Sequence, residues 1–333
     1  MCTPSAGTGT CPESEPSLAE QALALARQAV DLVLRYPEVA FVLVLSLLLP
    51  VLRWVLEKAV YRPLAKWVLQ PRLSKAQQRA LADAACPTDA SPQRRMEAEM
   101  DAEISAQRDA QRRAERVVKM CESFWKLTAY GSMLGLELAI THAEPWFWRP
   151  RDYWVGWPDQ PELPLMRLLF GVQLAYYIST TFTLALWEVP RSDYWVMQTH
   201  HCCTVVLIYY NYISGYQRWG CLIMMLHDLN DVIMEVAKCL NYADQHTLAN
   251  AAFALFVLAW AALRLTIFPF VLIRSTMLDS VKVLGYVPPH HGLLNCLLCV
   301  LCCFHVYWFG LILRVAYMTI RKGKGEDIRE KED

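Results

Sequence analysis

Apolar residues dominate positions 39–56 and recur in blocks at 123–141, 165–187, 195–213, 219–240, 247–265 and 292–318. Most of these blocks are close to the ~20 residues a helix needs to cross a hydrocarbon core. The pattern predicts an all-α polytopic membrane protein with about seven transmembrane helices. Pro50 lies inside the first block, where a kink is expected. Residues 61–119 break the pattern, with twelve Lys/Arg against eight Asp/Glu and a charged helical run at 94–119. That run has too few apolar positions for a coiled-coil seam and reads as a solvated helix. Its basic excess assigns the loop to the cytosol. The N-terminus then lies across the membrane, and seven crossings return the C-terminus to the cytosol.

The expected organisation is a non-cytosolic tail at 1–36, a first membrane helix at 37–60, the cytosolic charged loop at 61–119, a membrane domain at 120–320 and a charged cytosolic tail at 321–333. The first tail has no basic start, and its apolar run begins only at Val39, so it is not read as a cleaved signal. An amphipathic helix is expected at 18–34. The connection 145–162 is full of Trp and Tyr and reads as an aromatic belt at the headgroup boundary. The stretch 268–291, with Pro269, Pro288 and Pro289, reads as the longest loop opposite the cytosol, one able to re-enter the membrane.

Composition sharpens this picture only slightly. The chain is 55% hydrophobic and 19% charged, with 32 basic and 32 acidic residues, which excludes a basic nucleic-acid binder. Most of the twelve cysteines lie inside apolar blocks. Cys296, Cys299, Cys302 and Cys303 resemble a metal knuckle, but helical spacing leaves no turn to fold them round an ion, so they read as packing residues.

Polar residues inside the apolar blocks carry the functional signal. His200 and His201 interrupt the fourth block, and His227, Asp228 and Asp231, followed by Glu235 and Lys238, interrupt the fifth. Ionisable groups are expensive in hydrocarbon and are functional candidates by default. His227, Asp231 and Glu235 repeat at i, i+4, i+8 and line one helix face. Both sets fall in the cytosolic half of their spans. A histidine base needs a carboxylate to fix its tautomer, and Asp228 and Asp231 are at compatible depth. Glu235 and Lys238, spaced i, i+3, read as a structural ion pair, and His305 as a packing or hydrogen-bonding residue.

At these residues the chain resembles the ceramide synthase family with its TLC domain. The matching text is Arg191-Ser-Asp-Tyr-Trp-Val-Met-Gln-Thr-His-His-Cys-Cys-Thr204, Gly215-Tyr-Gln-Arg-Trp-Gly220 and Leu226-His-Asp-Leu-Asn-Asp-Val-Ile-Met-Glu-Val-Ala-Lys-Cys-Leu-Asn-Tyr242. It extends upstream to Cys121-Glu-Ser-Phe-Trp-Lys126 and Trp157-Pro158, and downstream to Arg264-Leu-Thr-Ile-Phe-Pro269 and His305-Val-Tyr-Trp308. The resemblance implies a ring of six helices around a lipid tunnel, preceded by one extra helix. It implies transfer of a fatty acyl group from acyl-CoA to the amine of a sphingoid base in the endoplasmic reticulum membrane. By motif position His200, His201, Asp228 and Asp231 take the catalytic roles and His227 a supporting one. The basic region before Glu122 lacks the family's Arg-Pro, Pro190 stands where a second basic residue is common, and residues 61–119 lack the aromatic core of a homeobox-like domain.

A sphingoid amine is cationic at neutral pH and must lose a proton before attacking a thioester, a task suited to neutral histidine. The histidine could act as a base alone or first take the acyl group as an acyl-imidazole. Arg191, in the short loop before His200, is the candidate partner of CoA phosphate. Acyl-CoA is a substrate here, so no separate cofactor and no metal are expected. Membrane lipid is a further expected contact, and a homo- or heterodimer is left open. The rival readings are a zinc-dependent membrane lipid hydrolase and a non-catalytic lipid carrier or sensor.

Overall fold

The computed structural model describes residues 36–70, 92–161, 163–187 and 191–322. The helix expected at 18–34, the middle of the charged loop and the basic tail past Lys322 lie outside them. All regular structure among the described residues is helical.

Helix α1, Pro37–Leu56, runs through Pro50 and a π-helical turn, Glu57–Tyr61, into α2, Arg62–Val68. Its side chains Leu43, Val44, Leu47, Leu48 and Val51 are exposed, as lipid-facing residues should be. Helix α3, Pro92–Thr141, is one rod of 50 residues, roughly 75 Å at 1.5 Å per residue. Its positions 103–115 are exposed, so the solvated helix read from sequence is present, and it continues directly into the next apolar segment. Helices α4 (Pro164–Leu186), α5 (Tyr194–Ile213) and α6 (Gln217–Tyr242) follow.

Helix α7, His246–Ala262, differs from expectation. It does not stop before residue 268 but passes through π-helical Leu263–Ile273 and Ser275–Asp279 into α8, Ser280–Leu284. The stretch 268–291 is therefore mainly helix, and the true connection is short. Proline normally breaks an α-helix because it lacks an N–H and its ring meets the preceding turn. At Pro269 the wider π-helical turn accommodates the ring, while Thr266 Oγ1 donates to the Ala261 carbonyl at 2.9 Å. Gly285, at φ +75°, makes the left-handed cap that ends the helix. Helix α9, His291–Lys322, completes the chain.

Among the described residues four helices are long and apolar enough to cross a membrane: Pro37–Val68, Leu165–Leu186, His246–Leu284 and His291–Arg321. This makes the chain a multi-pass membrane protein. The polar residues of interest sit largely in α5, α6 and the second half of α3, which lowers the hydropathy of those three helices. Helix α6 is central: it packs between α3 and α7 and also touches α4, α5 and the π-helical segment. Helix α4 packs on α1 and α5, and α9 on α5 and the π-helical segment. Glu38 pairs with Arg167 at 3.6 Å, and Phe41 lies against Gly171, so α1 starts at the same end as α4.

That end is closed by aromatic residues, and here too the sequence reading needs correction. Trp146, Tyr153, Trp154, Tyr216 and Trp219 are buried against one another rather than spread as a belt, although Trp148 is exposed. Trp157 stacks on Tyr216 with centroids 5.2 Å apart, and its Nε1 donates to the Ser214 carbonyl at 3.0 Å. Aromatic pairs of this kind gain from ring geometry as well as from burial.

Gly220 lies where α6 meets α4: a Cβ there would fall 2.7 Å from Phe170 Cζ and 3.2 Å from Asn211 Oδ1, and both residues are buried. Gly220→Ala should cost about 1–3 kcal/mol by overpacking. Thermal unfolding of the detergent-solubilised protein should show a lower midpoint for Gly220→Ala and little change for Gly131→Ala, where nothing lies within 4 Å.

Candidate active site

Helix α5 begins after Asp193, whose carboxylate accepts from Trp308 Nε1 of α9 at 3.0 Å. This bond fixes the start of α5 against α9 and brings the Trp308 ring to 5.2 Å from that of His200, edge to face. His200 is buried, also contacts Phe304, and its Nδ1 has no hydrogen-bond partner among the described residues. His201 turns to α4, with its ring 5.8 Å from Tyr177. The paired rings are 5.9 Å apart. The sequence therefore places both histidines together, but tertiary packing sends them to different neighbours.

His227 on α6 has a different task from this pair. Its Nδ1 faces the Ile223 carbonyl at 2.6 Å, and a carbonyl only accepts, so Nδ1 carries the proton. In the neutral ring Nε2 is then an acceptor, and His305 Nε2 donates to it at 2.9 Å. Phe268 packs on both rings, and Trp260 Nε1 donates to the His305 carbonyl. His305 is thus a hydrogen-bonding partner, as its position in the sequence suggested, and His227 is tied to it.

The two aspartates also part company. Asp231 Oδ1 accepts from Arg264 Nη2 at 2.6 Å, and the same nitrogen donates to the His227 carbonyl at 3.2 Å. The Arg264 guanidinium lies 4.3 Å from the Trp260 ring centroid. Asp228 Oδ2 instead accepts from Gln173 Nε2 at 2.7 Å, and Gln173 also donates to Glu137 at 3.1 Å. The His200 ring makes no hydrogen bond to either aspartate, so the carboxylate expected to orient a histidine base is engaged elsewhere in this conformation.

Arg191 precedes α5 and donates to Glu122 of α3 at 2.7 Å, where Lys126 also donates at 2.8 Å. Burial alone would raise the Glu122 pKa, but Lys126 and Arg191 override it and hold the carboxyl well below the usual range. These ion pairs are therefore intact at neutral pH and weaken only as pH falls below the ordinary carboxylate range. Nearby, Lys238 donates to Glu235 at 2.9 Å, the i, i+3 pair expected from sequence.

Four participants escaped the sequence reading or were underrated by it: Glu137, Gln173, Arg264 and Glu122. Glu137 lies inside an expected span, so the rule that flagged the histidines applied to it equally. Gln173 is uncharged and gave no comparable signal. Among the described residues no group of three or more His, Cys, Asp or Glu side chains is gathered as a metal site requires. Cys296, Cys299 and Cys303 are exposed on α9. A small cleft opens one turn of α6 from His227, lined by Leu207, Ile223 and Leu298 and by the aromatic residues Trp154, Tyr216 and Trp219.

A family model of the TLC domain matches residues 119–314, a range that contains every residue of this site. The chain is 38% identical to ASC1-like protein 3 of Oryza sativa subsp. japonica over 220 residues, covering 64% of this chain and 78% of that protein. It is 36% identical to Ceramide synthase LOH2 of Arabidopsis thaliana over 220 residues, with 64% and 74% covered. It is 35% identical to human Ceramide synthase 5 over 210 residues, with 62% and 53% covered.

The ion pair, buried at Arg264 and partly buried at Asp231, gives a direct test of the site's architecture. Arg264→Gln leaves Asp231 without its cation, at a cost that approaches the roughly 3–5 kcal/mol of a fully buried pair. Thermal unfolding of Arg264→Gln should show a large loss, and the double variant Arg264→Gln with Asp231→Asn should recover a substantial part of it. Additive losses in the double variant would mean the two side chains are not energetically coupled.

Proposed function

The chain belongs to the TLC domain family, and from that premise we infer that it is a ceramide synthase, an N-acyltransferase joining a fatty acyl group from acyl-CoA to the amine of a sphingoid base. The observation that carries this reading is the match over residues 119–314, shared with proteins named ceramide synthase and enclosing the His200–His201 pair, Asp228 and Asp231. Seven crossings, with the last six helices forming a ring, belong to the same proposal. The order of packing neighbours, α3 to α4 to α5 to α9 to the π-helical end of α7 to α6 and back to α3, supports it. The shared end of α1 and α4 puts both helix starts on one side of the membrane, and the basic excess of residues 61–119 supports a lumenal N-terminus and a cytosolic C-terminus in the endoplasmic reticulum membrane.

The overall reaction is thioester plus ammonium giving amide, free thiol and one proton. The buried His200 and the half-buried His201 supply a neutral imidazole that takes the ammonium proton or receives the acyl group as an acyl-imidazole. An apolar setting, with Phe304, Trp308 and Tyr177 around the pair, limits hydrolysis of such an intermediate. Asp231, neutralised by Arg264, and Asp228, held by Gln173, set the field around the imidazoles, and His227, fixed by His305, supports α6 behind them. Arg191 stands at the cytosolic mouth, where the charged CoA headgroup must remain.

Acyl transfer from radiolabelled acyl-CoA to sphinganine in microsomes tests the assignment. His200→Ala and His201→Ala should each abolish turnover while the protein stays membrane-inserted. Asp228→Asn and Asp231→Asn should each lower it by about 100-fold or more, because the amide keeps the size but not the charge. Retention of near-wild-type turnover by both histidine variants would sink the assignment. A wild-type protein that binds lipid without turnover would instead favour a lipid carrier.

Arg191→Gln should raise the KM for acyl-CoA by about tenfold, the worth of a charge-assisted hydrogen bond, with a smaller effect on the KM for the sphingoid base. Glu122→Gln is the control, since it frees Arg191 without removing it. Equal effects of Arg191→Gln on both substrates would reduce Arg191 to the partner of Glu122.

A further inference from the structure

Three fully buried polar side chains from three helices meet at one point: Glu137 of α3, Gln173 of α4 and Asp228 of α6, exposed by 0%, 0% and 1%. Gln173 Nε2 donates to Asp228 Oδ2 at 2.7 Å and to Glu137 Oε1 at 3.1 Å, so a single amide nitrogen spends both hydrogens on two carboxyl groups. Bonded to one and the same nitrogen, the two carboxyl groups are immediate neighbours. Each keeps one buried oxygen, Glu137 Oε2 and Asp228 Oδ1, with no N–H or O–H donor among the described residues. Neither forms an ion pair among the described residues. The cation closest in chemistry, Arg264, is already bonded to Asp231.

Two ionised carboxylates cannot share such a place, because a dry site penalises each charge and their mutual repulsion adds to the penalty. One proton between them leaves a single negative charge and turns an acceptor-only contact into an O–H···O bond, the strong charge-assisted kind. The other titratable or charged groups around the pair are Tyr177 on α4, Cys221 and Asp231 on α6, and Arg264 on the π-helical segment, and none of them donates to either carboxyl.

We propose that Glu137 is a positioning residue for acyl transfer that acts through Asp228, the two carboxyl groups holding one proton between them in the clamp of Gln173. The proposal rests on the reading that Asp228 serves that reaction. It divides the labour of two aspartates one helical turn apart. Asp231 is a fixed anion, since protonating it would strand Arg264. The Glu137–Asp228 pair gains or loses a proton without unpairing any cation. Acyl transfer from an ammonium and a thioester releases one proton per turnover. An imidazole takes that proton, and the single negative charge that the pair keeps near it favours the imidazolium until the proton leaves, so the pair itself ends each turnover as it began.

Infrared spectroscopy of the purified full-length protein, read as the shift on exchange from water to heavy water, detects a protonated carboxyl group without requiring activity. The expected result is one exchange-sensitive carboxyl band that is lost or displaced in both Glu137→Gln and Asp228→Asn but unchanged in Asp231→Asn. In the acyl-transfer assay Glu137→Gln should lower kcat by about tenfold or more while both KM values stay within about twofold, and Glu137→Asp should recover part of the loss. The proposal is overturned by no such band, by two bands, by a band indifferent to both variants, or by wild-type kcat in Glu137→Gln. If Glu137→Gln does not fold, the wild-type band and its response to Asp228→Asn and Glu137→Asp decide the matter alone. A wild-type protein without acyltransferase activity would refute the reaction while leaving the infrared result to judge the carboxyl pair.

Discussion

Asp231 is held in an apolar bundle by Arg264, and much of the interior is arranged around that ion pair. A charge withdrawn from water must meet its counter-charge inside the protein. Here the two partners come from different helices, α6 and the π-helical continuation of α7, which fixes those segments against each other. The guanidinium also bonds the His227 carbonyl and covers Trp260, so a single side chain ties backbone, carboxylate and aromatic ring into one unit. Helix α6, which buries His227, Asp228, Asn230 and Glu235, is therefore the one with most neighbours, because only a central position can satisfy them.

Around that unit the polar groups sort by partner. His227 and His305 are bonded to one another through their Nε2 atoms, whereas His200, like His305, keeps a buried Nδ1 without a partner among the described residues, and its ring lies beside Trp308. Asp231 takes a cation, and Asp228 takes an amide and a second carboxyl. Residues of the same type a turn apart thus have different chemistry. The cause is not their spacing but what the facing helix offers at that height.

The ends of the bundle follow different rules. One is closed by interlocked aromatic rings, with Trp154, Tyr216 and Trp219 buried next to the cleft. The other carries paired charges, Glu122 with Arg191 and Lys126 and Glu235 with Lys238, beneath the long polar extension of α3. The two ends therefore differ in chemistry as well as in packing.

Apolar blocks of membrane-spanning length, the basic loop, and the paired histidines and aspartates inside those blocks were all legible in the chain alone, because hydrocarbon penalises polar groups by type and depth regardless of fold. The Glu235–Lys238 pair was legible for a related reason: an i, i+3 contact is made within one helix. Contacts between helices were not. Nothing local marks Gln173 as the clamp of two carboxyl groups, or Arg264 rather than another cation as the partner of Asp231. Pro269 signalled a break that wide helical turns absorb, and the Trp-rich connection signalled a membrane boundary that tight packing turned into a plug. The sequence by itself determined which residues could not be left alone in a membrane. Which partner each one found was decided only when the helices packed, since the energy of a buried charge or hydrogen bond depends on atoms that lie tens of residues away along the chain.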